Sequence, residues 1–376
     1  MVQAACIQDF RDMARRRIPR AIFDYADGGS YAELTLAANR RDLDALSLRP
    51  RVMVDVSARS LATTLAGQAA SLPLAIAPTG LAGLFHRDGE ICGARAAEAA
   101  GIPFCLSTVS ICSIEDVRAA VEKPFWFQLY VMRDRGFTRS LIERARAAEC
   151  SALVVTLDLQ IQGQRHKDIR NGLSVPPQLT LANALDMASK PAWALGMLRG
   201  RRRTFGNLVD AQRPDGVTTL SRRILSQFDP TMNWKDIEAF RALWPGKLIL
   251  KGVMDAEDAG IAAATGADAI VVSNHGGRQL DSAPSSISVL PEVVEAVGER
   301  VEVLFDGGVQ SGQDLLKAMA LGARGGLMGK GYLYALAAAG QGGVTRAIEI
   351  VRDELSVSMA LTGVTDVQTI DRRVLR

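Results

Sequence analysis

The sequence predicts an α/β chain folded as a (β/α)8 TIM barrel, with an N-terminal helical extension and a long insertion after the fourth strand. Three observations support this: apolar runs of strand length recur along the chain, they number eight, and alanine-rich stretches with helical spacing separate most of them. Nearly continuous apolar strands are typical of parallel sheets, and eight of them alternating with helices indicate a closed barrel. A doubly wound open sheet is the main alternative, but no segment marks a second half or a switch point.

Each predicted strand ends in polar residues or glycine. In chain order the strands are residues 72–79 (LPLAIAPT), 103–108 (PFCLST), 125–130 (FWFQLY), 152–158 (ALVVTLD), 247–252 (KLILKG), 269–274 (AIVVSN), 301–308 (VEVLFDGG) and 325–330 (GGLMGK). The clearest predicted helices are residues 89–100, 114–121, 138–148, 256–265 and 312–321.

Two segments lie outside this repeat. Before the first strand, residues 7–20 have a helical pattern, and we expect residues 23–33 (FDYADGGSYAE) to be a loop that reaches another part of the protein. The insertion, residues 159–246, holds 13 Lys and Arg against 7 Asp and Glu, a balance of +6 within a chain of net charge +3. We expect the whole chain to be one domain, with its barrel core at about residues 72–345.

Composition excludes several classes of protein. Hydrophobic residues make up 48% of the chain and charged residues 23%, which is typical of a soluble globular protein. A net charge of +3 without a basic stripe does not indicate a nucleic-acid partner. The five cysteines form no CxxC pair, so we expect no metal site, no disulfide framework and a cytoplasmic location. No signal peptide and no membrane-spanning run are evident.

Polar residues at the ends of the strands predict the active site, because barrel enzymes build it there. His275 directly follows the sixth strand and precedes Gly276 and Gly277, which let the backbone approach a ligand closely. An isolated histidine is more often structural, but in this position an imidazole is suited to accepting a proton. Arg165 and Arg278 also follow strand ends, where a guanidinium can bind a carboxylate bidentately.

Glycine-rich turns follow the last two strands. Asp306, Gly307 and Gly308 end the seventh strand, and Gly329 and Lys330 end the eighth. Turns at these positions commonly bind phosphate through backbone N–H groups, so we expect a phosphorylated cofactor or substrate. No GxGxxG motif opens a Rossmann unit, which argues against a nicotinamide nucleotide.

Lys251 ends the very apolar fifth strand, and a buried lysine needs a partner. Two interpretations remain open from the residues alone. The lysine either forms a Schiff base, as in an aldolase, or provides a cation beside an anionic cofactor.

The motifs IAPTG, LSTVS, WFQLY, LKG, SNHGGRQLD and LFDGG, in this order along the chain, resemble the FMN-dependent L-2-hydroxy acid dehydrogenase/oxidase family. The resemblance runs from about residue 7 to about residue 365. Residues 106–117 and 125–137 are most similar to the quinone-linked L-lactate dehydrogenases of that family, and residues 228–252 are also similar to its mandelate dehydrogenases.

The resemblance implies FMN as cofactor and oxidation of a small L-2-hydroxy acid, L-lactate above others, to the 2-oxo acid. It implies that His275 takes the substrate proton with Asp158 holding the imidazole, that Arg165 and Arg278 bind the substrate carboxylate, and that Tyr25 and Tyr130 hydrogen-bond the substrate. The implied FMN contacts are Pro78, Thr79, Gly80, Ser107, Gln128, Thr156, Lys251, Ser273, Asp306, Gly307, Gly308, Gln310, Gly329 and Lys330.

The sequence departs from the family at several of these positions. Gln310 and Lys330 stand where the family often has arginines that contact the phosphate, so we expect weaker FMN binding or compensation by another group. After the fourth strand, Asp158, Leu159 and Gln160 stand where the family usually has Asp-Thr-Pro or a similar sequence, so we expect a differently shaped wall there. Gly80 resembles the dehydrogenase members, which favours a quinone over oxygen as the electron acceptor.

The insertion suggests where that acceptor is met. Residues 181–203 combine leucines, methionines and a tryptophan with a run of arginines, which is consistent with a segment lying on an anionic membrane at the inner face of the cell. A solvated loop that covers the active site is an equally good interpretation. By resemblance we expect a homotetramer.

Four alternative functions remain open, and one is a mandelate-type dehydrogenase of the same family. A hydroxy acid oxidase would use oxygen and release peroxide, a phosphate-binding isomerase or aldolase would use Lys251 and lack colour, and a degenerate barrel would have lost its cofactor.

Overall fold

The computed structural model describes residues 3–172, 180–202, 204–208 and 227–376. Eight parallel strands form the predicted barrel, preceded by an antiparallel hairpin of two short strands. The strands are β1 (Thr63–Leu65), β2 (Gln68–Ala70), β3 (Leu74–Ile76), β4 (Cys105–Ser107), β5 (Trp126–Leu129), β6 (Ala152–Thr156), β7 (Lys247–Val253), β8 (Ala269–Val272), β9 (Glu302–Phe305) and β10 (Gly325–Met328).

The barrel closes between β3 and β4. Pairing runs from β3 to β10 and then in reverse chain order through β9, β8, β7, β6 and β5 to β4. A parallel bridge between Ile76 and Phe104 joins the two ends of this sheet, and the Ile76 amide donates to the Pro103 carbonyl at 2.9 Å. The barrel prediction is confirmed, with every strand at its predicted position.

The apolar strands are buried on both faces, as β6 illustrates. Ala152 and Val154 belong to the cluster that fills the barrel interior, together with large side chains such as Trp126. Leu153 and Val155 instead join the larger core that the strands share with the helices. Fully burying a valine or leucine contributes about 1.5–3 kcal/mol, so a polar residue at either set of positions would be costly.

The helices of the described residues are numbered in chain order: α1 (Ile7–Arg17), α2 (Arg20–Asp27), α3 (Leu34–Ala45), α4 (Gly89–Ala100), α5 (Ile114–Arg118), α6 (Arg135–Ala147), α7 (His166–Arg170), α8 (Leu181–Ala188), α9 (Pro191–Leu198), α10 (Trp234–Leu243), α11 (Ala256–Ala264), α12 (Ser286–Val297), α13 (Gly312–Ala320) and α14 (Lys330–Leu361). Side-chain caps fix several starts. The Asp134 carboxylate accepts from the Phe137 amide, so α6 begins before the predicted residue 138.

The N-terminal extension differs from the prediction. The expected helix over residues 7–20 is two helices, because Pro19 lacks the N–H that a continuous helix needs and instead caps α2. The expected loop over residues 23–33 is wrong in its first part, since residues 23–27 are helical. The Phe23 and Ala26 side chains are buried there, and this packing outweighs the loop-like sequence.

The insertion packs against the carboxyl-terminal loops of the barrel. The Trp193 indole on α9 donates to the Leu84 carbonyl at 2.7 Å. The buried Asn207 side chain donates to the Ser110 hydroxyl at 3.0 Å and accepts from the Ile114 amide at 2.9 Å. Within the described ranges, no helix combines the length and apolar character needed to cross a bilayer.

Candidate active site

The carboxyl ends of the strands open into one cleft with about 1150 Å³ of empty space, including its mouth. Residues from the N-terminal helices, the strand ends and the loop after β8 line it together. The predicted site residues that line the cleft are Tyr25, Pro78, Thr79, Gly80, Tyr130, Thr156, Arg165, Lys251, His275, Arg278, Asp306, Gly307, Gly308, Gln310, Gly329 and Lys330. The other predicted residues, Ser107, Gln128, Asp158 and Ser273, hydrogen-bond to groups that line it or lie beneath it.

His275 and Asp158 form a hydrogen-bonded pair. The imidazole Nδ1 lies 2.9 Å from the Asp158 Oδ1, which leaves Nε2 available on the other side of the ring. Burial lowers the pKa of His275, and the Asp158 carboxylate partly opposes that effect. The buried Asp158 Oδ2 has no partner among the described residues. The pair therefore holds a neutral imidazole in one orientation, beside a carboxylate that stabilises its protonated form.

The backbone around His275 is strained in a way that aims this side chain. His275, Gly276 and Gly277 have φ values of 59°, 65° and 71°, a left-handed run that is uncommon for a residue with a side chain. The His275 amide donates a hydrogen bond to the Ser273 hydroxyl at 3.1 Å, which helps to hold the turn. At Gly277 a Cβ would lie 2.5 Å from the Leu36 amide nitrogen, so only glycine fits against α3.

Two guanidinium groups, from the buried Arg165 and the partly buried Arg278, lie beside the Tyr25 ring. The guanidinium carbon lies 4.8 Å from the ring centroid for Arg278 and 5.9 Å for Arg165. Burial, and next the Arg165 charge, lower the pKa of Arg278 to about 10, which still leaves it protonated at neutral pH. The Asp168 Oδ2 lies 3.9 Å from the Arg165 Nη1. Two cations with little compensating negative charge make this end of the cleft suited to a carboxylate ligand.

Lys251 is hydrogen-bonded to residues that directly follow β8 and β9. Its ammonium donates to the Ser273 hydroxyl at 2.8 Å and to the Asp306 carboxylate at 2.5 Å. Burial alone would lower the pKa of Lys251, but Asp306 and Asp158 outweigh it and raise the pKa. The amine is therefore charged, which makes it a poor Schiff-base nucleophile and a good fixed cation.

A polar network forms the floor of the cleft. The Gln128 amide nitrogen donates to the Thr156 hydroxyl at 2.9 Å, and the Gln128 oxygen accepts from the Ser107 hydroxyl at 3.0 Å. All three residues are almost fully buried on adjacent strands. Each side chain thereby has a fixed donor or acceptor direction beneath a ligand.

Helix α14 begins at the far end of the cleft, with Gly329 as its N-cap residue. The first N–H groups of a helix have no intrahelical partner, so α14, which is kinked at Ala339 and Gly340, offers those at its start to an anion. Gly307 and Gly308, at φ of 110° and 129°, turn the neighbouring backbone toward the same region. The Lys330 ammonium donates to the carbonyls of Asp27 and Gly28 at 2.8 and 3.0 Å.

Sequence reasoning missed the contribution of α3. Asn39 and Arg40 both line the cleft, and Arg40 donates to the Gly308 carbonyl at 3.3 Å. Two further bonds hold Arg40 to Asp314 at 3.0 and 2.7 Å. No motif marks these residues, because they reach the site only when α3 packs onto the loops after β8 and β9.

The residues present fit a flavin mononucleotide. The helix start and the glycine turn suit its phosphate, and the buried Lys251 cation suits an electron-accepting ring at the other end. At Gly329 a Cβ would come no closer than 3.5 Å to other residues, and at Gly276 no closer than 3.8 Å. Neither glycine is packed tightly against a neighbour, and both line the cleft that a cofactor would occupy.

Comparisons with known proteins agree with this geometry. The family described as FMN-dependent dehydrogenase matches residues 14–376. An L-lactate dehydrogenase of Caulobacter vibrioides (strain NA1000 / CB15N) is 50% identical over 369 residues, 98% of this chain and 96% of that protein. An L-lactate dehydrogenase of Pseudomonas syringae pv. syringae (strain B728a) is 46% identical over 371 residues, 98% of this chain and 97% of that protein.

Solved structures of mandelate-oxidising enzymes have the same fold. The monotopic membrane protein (S)-mandelate dehydrogenase superposes with a TM-score of 0.95 at 36% identity, covering 100% of both chains. A mandelate oxidase superposes with a TM-score of 0.85 at 37% identity, covering 100% of this chain and 98% of that one.

Proposed function

The chain belongs to the FMN-dependent dehydrogenase family, and from that premise we propose that it oxidises L-lactate to the 2-oxo acid, with a membrane quinone as the final electron acceptor. Its membership and its similarity to L-lactate dehydrogenases over nearly the full length make it an FMN-dependent 2-hydroxy acid dehydrogenase. The single observation that carries the proposal is the His275–Asp158 pair in the same cleft as Arg165 and Arg278.

His275 is the proposed proton acceptor. Oxidation of a hydroxy acid to an oxo acid removes two electrons and two protons, so one enzyme group must take a proton. With Nδ1 engaged by Asp158, Nε2 is the free acceptor, and the lowered pKa keeps it unprotonated at neutral pH. Once the imidazole is protonated, the adjacent carboxylate stabilises the charge.

Arg165 and Arg278 are the proposed carboxylate-binding groups, and the Tyr25 and Tyr130 hydroxyls are the proposed partners of the substrate oxygens. Bidentate contact with a guanidinium fixes both the position and the tilt of a carboxylate. The Tyr130 ring packs edge-on against Phe228, with centroids 5.4 Å apart, which holds it against the insertion. Burial raises the pKa of Tyr130, so its hydroxyl is a hydrogen-bond donor at neutral pH.

FMN, when bound, supplies the acceptor for the electron pair. The residues proposed to hold its ring and ribityl chain are Pro78, Thr79, Gly80, Ser107, Gln128, Thr156, Lys251 and Ser273. Asp306, Gly307, Gly308, Gln310, Gly329 and Lys330 are proposed for its phosphate end. Lys251 would supply a fixed positive charge to stabilise the negative charge that a flavin gains on reduction.

L-Lactate is favoured by the names of the most similar curated relatives, at 45–50% identity. The wall near Gly80 is also narrow, since a Cβ there would lie 2.7 Å from the Val109 Cγ2. Mandelate is the second candidate, because the structural similarity to (S)-mandelate dehydrogenase extends over the whole chain at a TM-score of 0.95.

The test is an anaerobic titration of the purified flavoprotein with L-lactate, L-mandelate and glycolate, followed by visible absorbance. D-Lactate is the matched control, because it has the same charge and size with the opposite hand. Bleaching by L-lactate at the lowest concentration supports the proposal. Preferential bleaching by L-mandelate would select the second candidate, and bleaching by none of them would refute both.

Membrane association is proposed for α8 and α9. Their leucines are exposed at 78% for Leu181, 64% for Leu185, 47% for Leu195 and 62% for Leu198. Arg199 and Arg201 follow, both exposed, whereas Arg203 of the predicted segment lies outside the described residues. A mixed apolar and basic surface suits an anionic bilayer, where each basic residue contributes about 1 kcal/mol near the surface. The family neighbour named as a monotopic membrane protein supports the same placement.

The double variant Leu185→Glu and Leu195→Glu tests this surface by sedimentation with anionic phospholipid vesicles. Loss of vesicle binding and of quinone reduction, with flavin bleaching unchanged, is the expected result. Leu361→Glu is the control, since Leu361 is 63% exposed at the end of α14. Equal loss in the control, or no loss in the double variant, would refute the assignment.

Two further alternatives have distinct outcomes. Peroxide formed in air without quinone would identify an oxidase, and the charged, bonded Lys251 argues against an aldolase. The homotetramer expected from resemblance remains a proposal, which light scattering tests.

A further inference from the structure

We propose that Lys330 is a positioning residue that links the cofactor phosphate to the substrate-binding arginine, through a carbonyl oxygen that both cations share. The inference rests on the proposed function for the identities of phosphate and substrate. It concerns how this lysine ammonium serves two backbone carbonyls and the cleft together.

The shared acceptor is the carbonyl oxygen of Gly28. Arg278 Nη1 donates to it at 3.1 Å, and Lys330 Nζ donates to it at 3.0 Å. Lys330 also donates to the Asp27 carbonyl at 2.8 Å, and Arg278 also donates to the Tyr25 carbonyl. The two cations therefore hold the carboxyl-terminal end of α2, the helix that carries Tyr25.

These carbonyls lie at the end of α2, which finishes at Asp27. The last carbonyls of a helix lack intrahelical donors and carry partial negative charge, so cations stabilise them. Gly28 cannot be replaced easily, because a Cβ would lie 2.8 Å from the Asp24 carbonyl oxygen. The turn thus depends on donors from outside the helix, and Lys330 and Arg278 supply them.

Lys330 has no carboxylate of its own among the described residues. Asp27 is engaged by Arg11 and by the Tyr334 hydroxyl, and Glu33 is engaged by Lys167. Burial, followed by the Arg278 charge, lowers the pKa of Lys330 to about 7. An anion in the cleft beside Lys330 would supply the missing countercharge and keep the ammonium protonated.

An ammonium suits this place better than a guanidinium does. It has three donors spread around one atom, two of which reach the carbonyls of Asp27 and Gly28. The third remains for an anion on the cleft side, because Lys330 lines the cleft beside Gly329. A guanidinium directs its fork in one plane, so an arginine that binds the phosphate bidentately would release the carbonyls.

The test compares Lys330→Arg and Lys330→Met with wild type, using three measurements on the purified flavoprotein. These are the FMN dissociation constant by flavin fluorescence, KM and kcat for L-lactate, and amide hydrogen exchange of the peptide over residues 20–31. Lys317→Met is the matched control. Lys317 is also a buried lysine that donates to a carbonyl of an N-terminal helix, Leu43 at 2.8 Å, but it does not line the cleft.

In Lys330→Arg we expect FMN affinity to be retained, while KM rises about tenfold and exchange over residues 20–31 accelerates. In Lys330→Met we expect FMN affinity to fall as well, whereas the control alters none of the three. Unchanged KM and exchange in Lys330→Arg would overturn the proposal and leave Lys330 as a phosphate cation only. If wild type oxidises no hydroxy acid, the proposed function fails, while exchange and FMN affinity still decide the role of Lys330.

Discussion

Replacing Asp158 by asparagine should slow substrate oxidation by about three orders of magnitude, because the carboxylate lies 2.9 Å from His275 Nδ1. With the two charges centred about 4 Å apart and an effective dielectric constant of about 20, the imidazolium loses about 4 kcal/mol of stabilisation. At about 1.4 kcal/mol per factor of ten, that loss corresponds to roughly a thousandfold in the rate of proton removal.

The assay is stopped-flow bleaching of the flavin by saturating L-lactate without oxygen, measured from acid to neutral pH. The rate should rise with pH through the pKa of His275, because only the neutral imidazole accepts a proton. Asp158 opposes the lowering of that pKa, so its loss should move the acid limb to still lower pH. Asp281→Asn is the control, since Asp281 follows β8, as His275 does, but accepts from the backbone amides of Ala32 and Thr35. A variant that keeps most of the wild-type rate, or whose acid limb moves upward, would refute the reasoning.

Three other substitutions test separate parts of the site. Arg278→Lys keeps the charge but loses the fork, so KM for L-lactate should rise by roughly 10- to 100-fold with FMN affinity unchanged; an unchanged KM would remove Arg278 from substrate binding. Gln310→Arg should tighten FMN binding about tenfold in a fluorescence titration; an unchanged dissociation constant would contradict this and assign the phosphate charge to Arg40. Gly80→Ala should lower the melting temperature and slow flavin bleaching, because the new Cβ would lie 2.7 Å from Val109 Cγ2. Such a clash costs about 1–3 kcal/mol, and adding Val109→Ala should restore the melting temperature.

The strands were predictable because each obeys a local rule. In β6 alternate residues pack into the barrel and against the helices, so neither face tolerates polar residues and the run is continuously apolar. The site followed from the strands, because parallel strands bring their carboxyl ends to one rim. His275, Arg278 and Lys251 stand just at or after such ends, and the structure brings all three to the same cleft. Their catalytic roles remain predictions.

What could not be predicted depends on packing between distant segments. Residues 23–27 look like the start of a loop, yet they are helical because Phe23 and Ala26 are buried. Asn39 and Arg40 carry no motif and reach the cleft through the packing of α3. The direction of the Lys330 ammonium was equally hidden, since its acceptors lie about 300 residues earlier in the chain.

The strands β3 and β4 pair through an isolated bridge between Ile76 and Phe104, so this is a weakly paired place in the barrel. After these strands, the loops that carry Gly80 and Val109 are joined by a backbone hydrogen bond from the Leu81 amide to the Val109 carbonyl at 3.0 Å. We therefore expect local opening to be more frequent between β3 and β4, where backbone pairing is sparse, than elsewhere in the barrel. Faster hydrogen exchange at the Ile76 and Leu81 amides than at those of β6 would reveal it. Local opening between β3 and β4 would widen the cleft for bulkier acids, while the other strands of the barrel stay fully paired.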